Sequence, residues 1–228
     1  MLIVAALVGA VSVFVVALLA SGVRHGTGFT RYDWQVLRDF RSHRSPIVVG
    51  TANALSGLGS IQTLVGVAAA VGVLLRRRRL HPILCAAPLA SLLVAGGFVQ
   101  IMKVVIARAG PHAQFQFGSR GAGSFPSGHS ADTTAFSIGL AIVLVAVLVR
   151  RPAERVAVFG LALVLSVAVG VSRLVLGVHW PTDVVAGWAV GLGTAVAVGT
   201  LAVLATHDRP FAATPVRSAG GRVERAGS

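Results

Sequence analysis

Residues 172–183 read SRLVLGVHWPTD. This stretch sets Arg173, His179 and Asp183 between two long apolar runs, five and then three residues apart. The chain around it avoids charge. Of its 228 residues, 55% are hydrophobic and 12% charged, against about 25% charged in a soluble domain. Mean hydropathy is +0.82. That composition is a membrane protein's.

A bilayer-crossing helix needs about 20 apolar residues. Working outward from the opening stretch, a span over 156–173 precedes it and one over 184–205 follows. Earlier runs predict spans over 131–149, 82–102, 55–75 and 2–20, the second in chain order entered by a shorter helix from Pro46. The expectation is an all-α, six-helix membrane bundle over residues 1–206, followed by a polar, disordered cytoplasmic tail over 207–228. The first run ends in small residues, as a signal peptide does, but lacks a positive n-region, so a retained span is expected.

The net charge is +13, nearly all from arginine, with Lys103 the only lysine. Arginines between spans set topology and meet anionic headgroups, so membrane lipids, not nucleic acid, are the expected contacts. The dense clusters Arg76–Arg79 and Arg150–Arg155 predict two cytoplasmic loops, with both termini on that side. The first loop carries five arginines of its own (24, 31, 38, 41 and 44), so the two short clusters decide the orientation. Cys85 is the single cysteine, which excludes an intrachain disulfide and suits packing. No zinc or iron–sulfur ligand spacing occurs.

Alternating spans bring the polar residues to one face. Lys103 ends the third span, Pro126–His129 begins the fourth, Arg173 ends the fifth, and His179 and Asp183 begin the sixth. All four ends fall on the side opposite the cytoplasm. Lys103, Arg108 and Arg173 are donors with no acceptor capacity, and gathered together they suit a phosphate. The stretch SFPSGHS, residues 124–130, sets a turn before an apolar helix. A helix start offers free amides and a positive dipole end. Gly128 admits close approach, and Ser127 can donate its hydroxyl. One of His129 and His179 can attack phosphorus while the other protonates the leaving oxygen. The residues alone do not say which, but Asp183, one helical turn from His179, favours His179 as the nucleophile. Pro181 suits the first turn of the last span. A lone interfacial His or Arg is more often an anchor; two such patterns on one face point to a site. An anion transporter would instead place ionisable residues deep within spans, whereas Asp132 and the other polar residues sit near span ends.

These residues resemble the type-2 phosphatidic acid phosphatase superfamily, the lipid phosphate phosphatases. That family carries K-x6-R-P, P-S-G-H and S-R-x5-H-x3-D. The second motif is Pro126-Ser127-Gly128-His129, and the third is Ser172-Arg173, His179 and Asp183 with spacing intact. In the first, Lys103 and Pro111 are in register, but Gly110 stands where the family has Arg, with Arg108 two positions earlier. Arg108 and Arg120 are the cations placed to substitute. The resemblance implies a metal-independent, cofactor-free phosphohydrolase acting on a lipid phosphate or diphosphate, with its active site at the extracytoplasmic face. Undecaprenyl diphosphate, phosphatidic acid and phosphatidylglycerophosphate are the implied substrates. It implies that His179 forms a phosphohistidine, Asp183 orients it, and His129 is the general acid and then the base. Lys103, Arg108, Ser127, Gly128 and Arg173 would hold the phosphoryl oxygens. Two alternatives are a lipid-phosphate-binding member weakened by Gly110 and the anion transporter. A vanadate-dependent haloperoxidase shares the constellation, but those relatives are soluble.

Overall fold

The computed structural model describes residues 2–112, 116–117 and 123–207. Arg120 and the expected tail beyond His207 lie outside the described residues. The architecture is helical throughout the described residues. α1 spans Leu2–His25, and after a short 3-10 turn (Gly28–Tyr32) come α2 (Asp33–Ser42), α3 (Pro46–Leu58) and α4 (Ile61–Arg77). Then follow α5 (Pro82–Ile106), α6 (Gly128–Val147), α7 (Pro152–Val175) and α8 (Pro181–His207). Five of these are long and apolar enough to cross a membrane: α1, α5, α6, α7 and α8. The chain is a multi-pass membrane protein.

The starts of α7 and α8 depart from the expected limits for one physical reason. α3, α5, α7 and α8 each begin on a proline, at 46, 82, 152 and 181. Proline presets the helical φ and lacks an amide that would be unsatisfied there anyway. Two helices therefore begin before their apolar runs, at 152 and 181 instead of 156 and 184.

The expected continuous span over 55–75 is two helices, α3 and α4, bent by 50° at their junction. Ser60 caps α4, its hydroxyl accepting from the Thr63 amide at 3.3 Å, so a new helix starts there. Gly59 admits the bend: a Cβ on it would collide with Val169 of α7 and lie 2.9 Å from Thr133 Oγ1 of α6. The amphipathic helix α2, inside the first interspan loop, was not expected.

α6 lies at the centre, against α5, α7 and α8, with α1 also on α8 and α3 on α7. Lipid supplies no hydrophobic drive between helices, so close backbone approach and interhelical hydrogen bonds hold such bundles. Gly187 and Gly191, one turn apart on α8, are such a contact. A Cβ on Gly187 would lie 2.6 Å from the Ser127 carbonyl, and one on Gly191 would lie 2.7 Å from Thr134 Cβ. α6 and α7 are tied by the Ser137 and Ser166 hydroxyls at 3.0 Å, and α8 to α7 by Trp188 Nε1 donating to the Ser166 carbonyl at 3.0 Å. Large apolar side chains such as Ile3, Val104 and Leu161 remain outside, 78%, 81% and 72% exposed, where lipid replaces water.

Candidate active site

The C-terminal ends of α5 and α7 and the N-terminal ends of α6 and α8 meet at one end of the bundle, as alternating spans require. Between α4, α5, α6 and the α7–α8 loop runs a cleft of about 640 Å³, and Lys103, Gly128, His129, Arg173 and His179 all line it. Four elements thus bring together five of the eight expected residues.

α6 contributes its open end. Its first intrahelical bond runs from the Ala131 amide to the Ser127 carbonyl at 3.0 Å, so the amides of Gly128, His129 and Ser130 have no intrahelical acceptor. Ser127 itself is fully buried. Its hydroxyl accepts from Ser130 Oγ at 3.0 Å, and its amide donates to the Asp183 carbonyl at 2.9 Å. Ser127 does not line the cleft; it ties α6 to the start of α8.

α7 delivers Arg173 on its last turn, 7% exposed. One Nη donates to Ser56 Oγ of α3, and Nε is buried with no partner. A buried cationic donor without an acceptor is costly, and an oxyanion in the cleft would satisfy it. Lys103 reaches the cleft from the last turn of α5. Gly123 backs its stem: φ is +72°, and a Cβ there would lie 3.2 Å from Lys103 Cβ. Only glycine suits both conditions.

His179 stands on the α7–α8 loop, 8% exposed. Its Nδ1 is 3.5 Å from Asp183 Oδ2, close enough for an ion pair yet outside hydrogen-bond geometry. The carboxylate is engaged elsewhere: Oδ2 accepts from the Trp180 amide at 2.9 Å, and Oδ1 from Arg108 at 2.6 Å. Burial away from water holds the His179 imidazole below the ordinary histidine range. Asp183 opposes that shift, and Arg173 and Lys103 reinforce it. The net effect favours the neutral ring, the form in which an imidazole is a nucleophile.

Arg108, expected as a phosphate ligand, is not among the residues that line the cleft. It bridges two carboxylates, Asp183 Oδ1 and Asp33 Oδ2, each at 2.6 Å, and donates to Thr182 Oγ1 at 2.8 Å. Its guanidinium also lies over the Trp180 ring, 5.5 Å from the centroid. Asp33, 3% exposed on α2, accepts from the Thr182 amide at 3.0 Å and the Thr182 hydroxyl at 2.6 Å. Asp33 therefore caps α8 and anchors the arginine that holds Asp183. The sequence reading missed Asp33 and Ser56. Acidic residues number only seven in this chain, and three of them, Asp33, Asp132 and Asp183, are buried. Scarcity was the available signal for Asp33; Ser56 had none.

Residues 84–207 match the sequence model of the PAP2 superfamily. Phosphatidylglycerophosphatase B of Bacillus subtilis is 42% identical over 69 residues, which is 30% of this chain and 34% of that protein. Lipid A 1-phosphatase of Rhizobium etli is 33% identical over 110 residues, 44% of this chain and 43% of that protein. The chain thus spans between a third and a half of these curated relatives. Among solved structures, a transmembrane PAP2-type phosphatidylglycerolphosphate phosphatase from Bacillus subtilis superposes with a TM-score of 0.79 at 24% identity, covering 85% of this chain and 94% of that one. Aquifex aeolicus LpxE superposes with a TM-score of 0.57 at 18% identity, covering 75% and 94%. At these identities the two structures establish the fold alone.

Proposed function

Because the chain belongs to the PAP2 superfamily, we propose that it hydrolyses a lipid phosphate or diphosphate without a metal, through a phosphohistidine. The observation that carries this reading is the convergence of Lys103, His129, Arg173 and His179 on one cleft from separate elements. The names of the two curated relatives, a phosphatidylglycerophosphatase and a lipid A 1-phosphatase, support a lipid phosphate as substrate.

Lys103, Arg173 and the amides at the start of α6 hold the phosphoryl oxygens and stabilise the charge that builds on them in the transition state. Nδ1 of His179 faces Asp183, which leaves Nε2 to attack. A P–Nε2 bond forms as the P–O bond to the alcohol breaks, and His129 gives its proton to the departing oxygen. Asp183 steadies the imidazolium that develops. His129, now neutral, takes a proton from water as that water attacks phosphorus. The P–Nε2 bond breaks, releasing inorganic phosphate and restoring His179. Arg108 acts here as a positioning residue through Asp183. The reactive end lies at the extracytoplasmic face and both termini are cytoplasmic; cysteines introduced in the Arg76–Arg79 loop should be labelled only after permeabilisation.

The test is phosphate release by purified protein in detergent with EDTA, over phosphatidylglycerophosphate, phosphatidic acid and a polyprenyl diphosphate. Release should vanish in His179→Ala, and vanadate, which resembles the five-coordinate transition state, should inhibit. Retention of more than a few per cent of activity by His179→Ala would remove it as the nucleophile.

A second reading is a weakened member that binds lipid phosphates. With Gly110 in the arginine position of the first motif and Arg108 held by two carboxylates, the described part of the cleft offers fewer phosphate donors than the family pattern.

A further inference from the structure

The cleft continues beyond the phosphate-binding end, and its lining changes in order. Along α5 it passes from Lys103 to Gln100, then Gly97 and Gly96, then Leu93 and Leu92. At 1.5 Å per residue that face runs about 16 Å. The sequence is a cation, then an amide, then open backbone, then leucine.

Asp132 sits opposite the open backbone. It lies on α6, three residues after His129 and so on the same helix face. It lines the cleft and is 9% exposed. Its Oδ1 is buried with no hydrogen-bond partner. A Cβ on Gly96 would come within 3.4 Å of that oxygen, so the missing side chain at Gly96 keeps space before it. Lys103 is near enough to act on it electrostatically, but among the described residues no salt bridge joins Asp132 to a cation. Gln62, at the start of α4, lines the same cleft as Gln100. Both side chains are exposed and line the cleft, where each amide offers a donor and an acceptor.

A buried acceptor without a partner loses the full desolvation cost of that group unless a ligand donates to it. Here the acceptor stands one helical turn from the histidine that protonates the leaving oxygen. The group beside it is therefore the first part of the departing alcohol. A hydroxylated alcohol, such as glycerol or a sugar, offers donors to Asp132 and both kinds of partner to the two glutamines. A polyprenyl diphosphate would set its second phosphate against the carboxylate and its hydrocarbon against the amides.

Resting on the phosphatase reading above, we propose that Asp132, with Gln62 and Gln100, forms a polyol subsite that selects phosphomonoesters of hydroxylated headgroups over diphosphates. Asp132 is then a specificity-determining residue on the leaving-group side.

The experiment measures kcat/KM of wild type, Asp132→Asn and Asp132→Ala on phosphatidylglycerophosphate, phosphatidic acid and farnesyl diphosphate. Phosphatidic acid serves as the monoester whose alcohol has no free hydroxyl. Wild type should favour phosphatidylglycerophosphate. Asp132→Ala should cut that preference over phosphatidic acid about tenfold or more, the effect of a lost hydrogen bond to a charged group. Asp132→Asn, which keeps the shape and loses the charge, should raise relative turnover of the diphosphate. Ratios between substrates are unaffected by a uniform loss of folded enzyme. Ratios unchanged within threefold in both variants, or a wild type that prefers the diphosphate, would overturn the subsite while leaving the phosphatase standing. A parallel titration in the His179→Ala background, with sn-glycerol 3-phosphate, glucose 1-phosphate and pyrophosphate, reads binding without turnover. Tighter binding of either polyol phosphate, lost on adding Asp132→Ala, would uphold the subsite even if wild type released no phosphate. The tighter of the two would separate a glycerol from a sugar headgroup. Pyrophosphate binding tightest, whatever residue occupies position 132, would overturn it.

Discussion

Replacing Arg108 by Ala separates two accounts of this residue. In the structure it bridges Asp33 and Asp183, whose side chains are 4% and 0% exposed, while its own is 13% exposed. Removing it leaves two buried carboxylates, Asp33 and Asp183, with no cation between them. Breaking a buried ion pair by deleting one partner costs about 3–5 kcal/mol. The partial exposure of Arg108 puts this case near the lower figure, about 3 kcal/mol. At about 2–4 °C per kcal/mol for a chain of this size, the melting temperature should fall by about 6–12 °C. The losses should not add when a carboxylate is also neutralised: Asp33→Asn/Arg108→Ala should cost less than the sum of the two single variants, by about 0.5–3 kcal/mol for residues in one network. The assay is thermal unfolding in detergent for wild type, both single variants and the double variant, with inhibition by inorganic phosphate measured alongside. A positioning role predicts a lower kcat with the inhibition constant for phosphate nearly unchanged. An unchanged melting temperature, with phosphate inhibition weakened tenfold, would refute this reasoning and return Arg108 to the phosphate.

Burial lowers the His179 pKa, and the nucleophile must be neutral. Activity should therefore persist below the ordinary histidine value of about 6.5 and be lost as pH falls through the lowered pKa. In Asp183→Asn the opposing influence is gone, so this acid limb should move to still lower pH while the maximal rate drops; a pH profile of kcat/KM checks both. Gly110→Arg restores the first-motif pattern and should raise kcat/KM several-fold; no change would show that the site does not lack a ligand there. Gly191→Val should abolish folded protein, since its Cβ would meet the Ala131 carbonyl and Thr134 of α6, whereas Gly160→Val, with nothing within 4 Å, should be tolerated. Detergent size-exclusion profiles report the difference.

Much of this protein follows from its sequence because the relevant constraints are local. A span is a matter of some 20 consecutive apolar residues, and PSGH and the Arg173, His179, Asp183 spacing lie within short stretches. Antiparallel alternation then carries residues 103, 129, 173 and 179 to one end with no knowledge of packing. Local turn chemistry also placed Pro181 at the head of α8.

Tertiary structure alone decided what those residues touch. Arg108 and Asp33 are 75 residues apart, and Arg173 and Ser56 are 117 apart. No periodicity links such positions, and only the packing of α2 and α3 against the α7–α8 end joins them. Arg108 sits near the phosphate motif in sequence, yet in the fold it pairs with two buried carboxylates, because a buried anion must be paired. The bend at Gly59–Ser60 has the same origin. The run over 55–75 is apolar enough to be one span, and the close approach of Val169 and Thr133 to Gly59 is set by other helices. Hydropathy and motif spacing are properties of the chain; partner choice among buried charges belongs to the packed bundle.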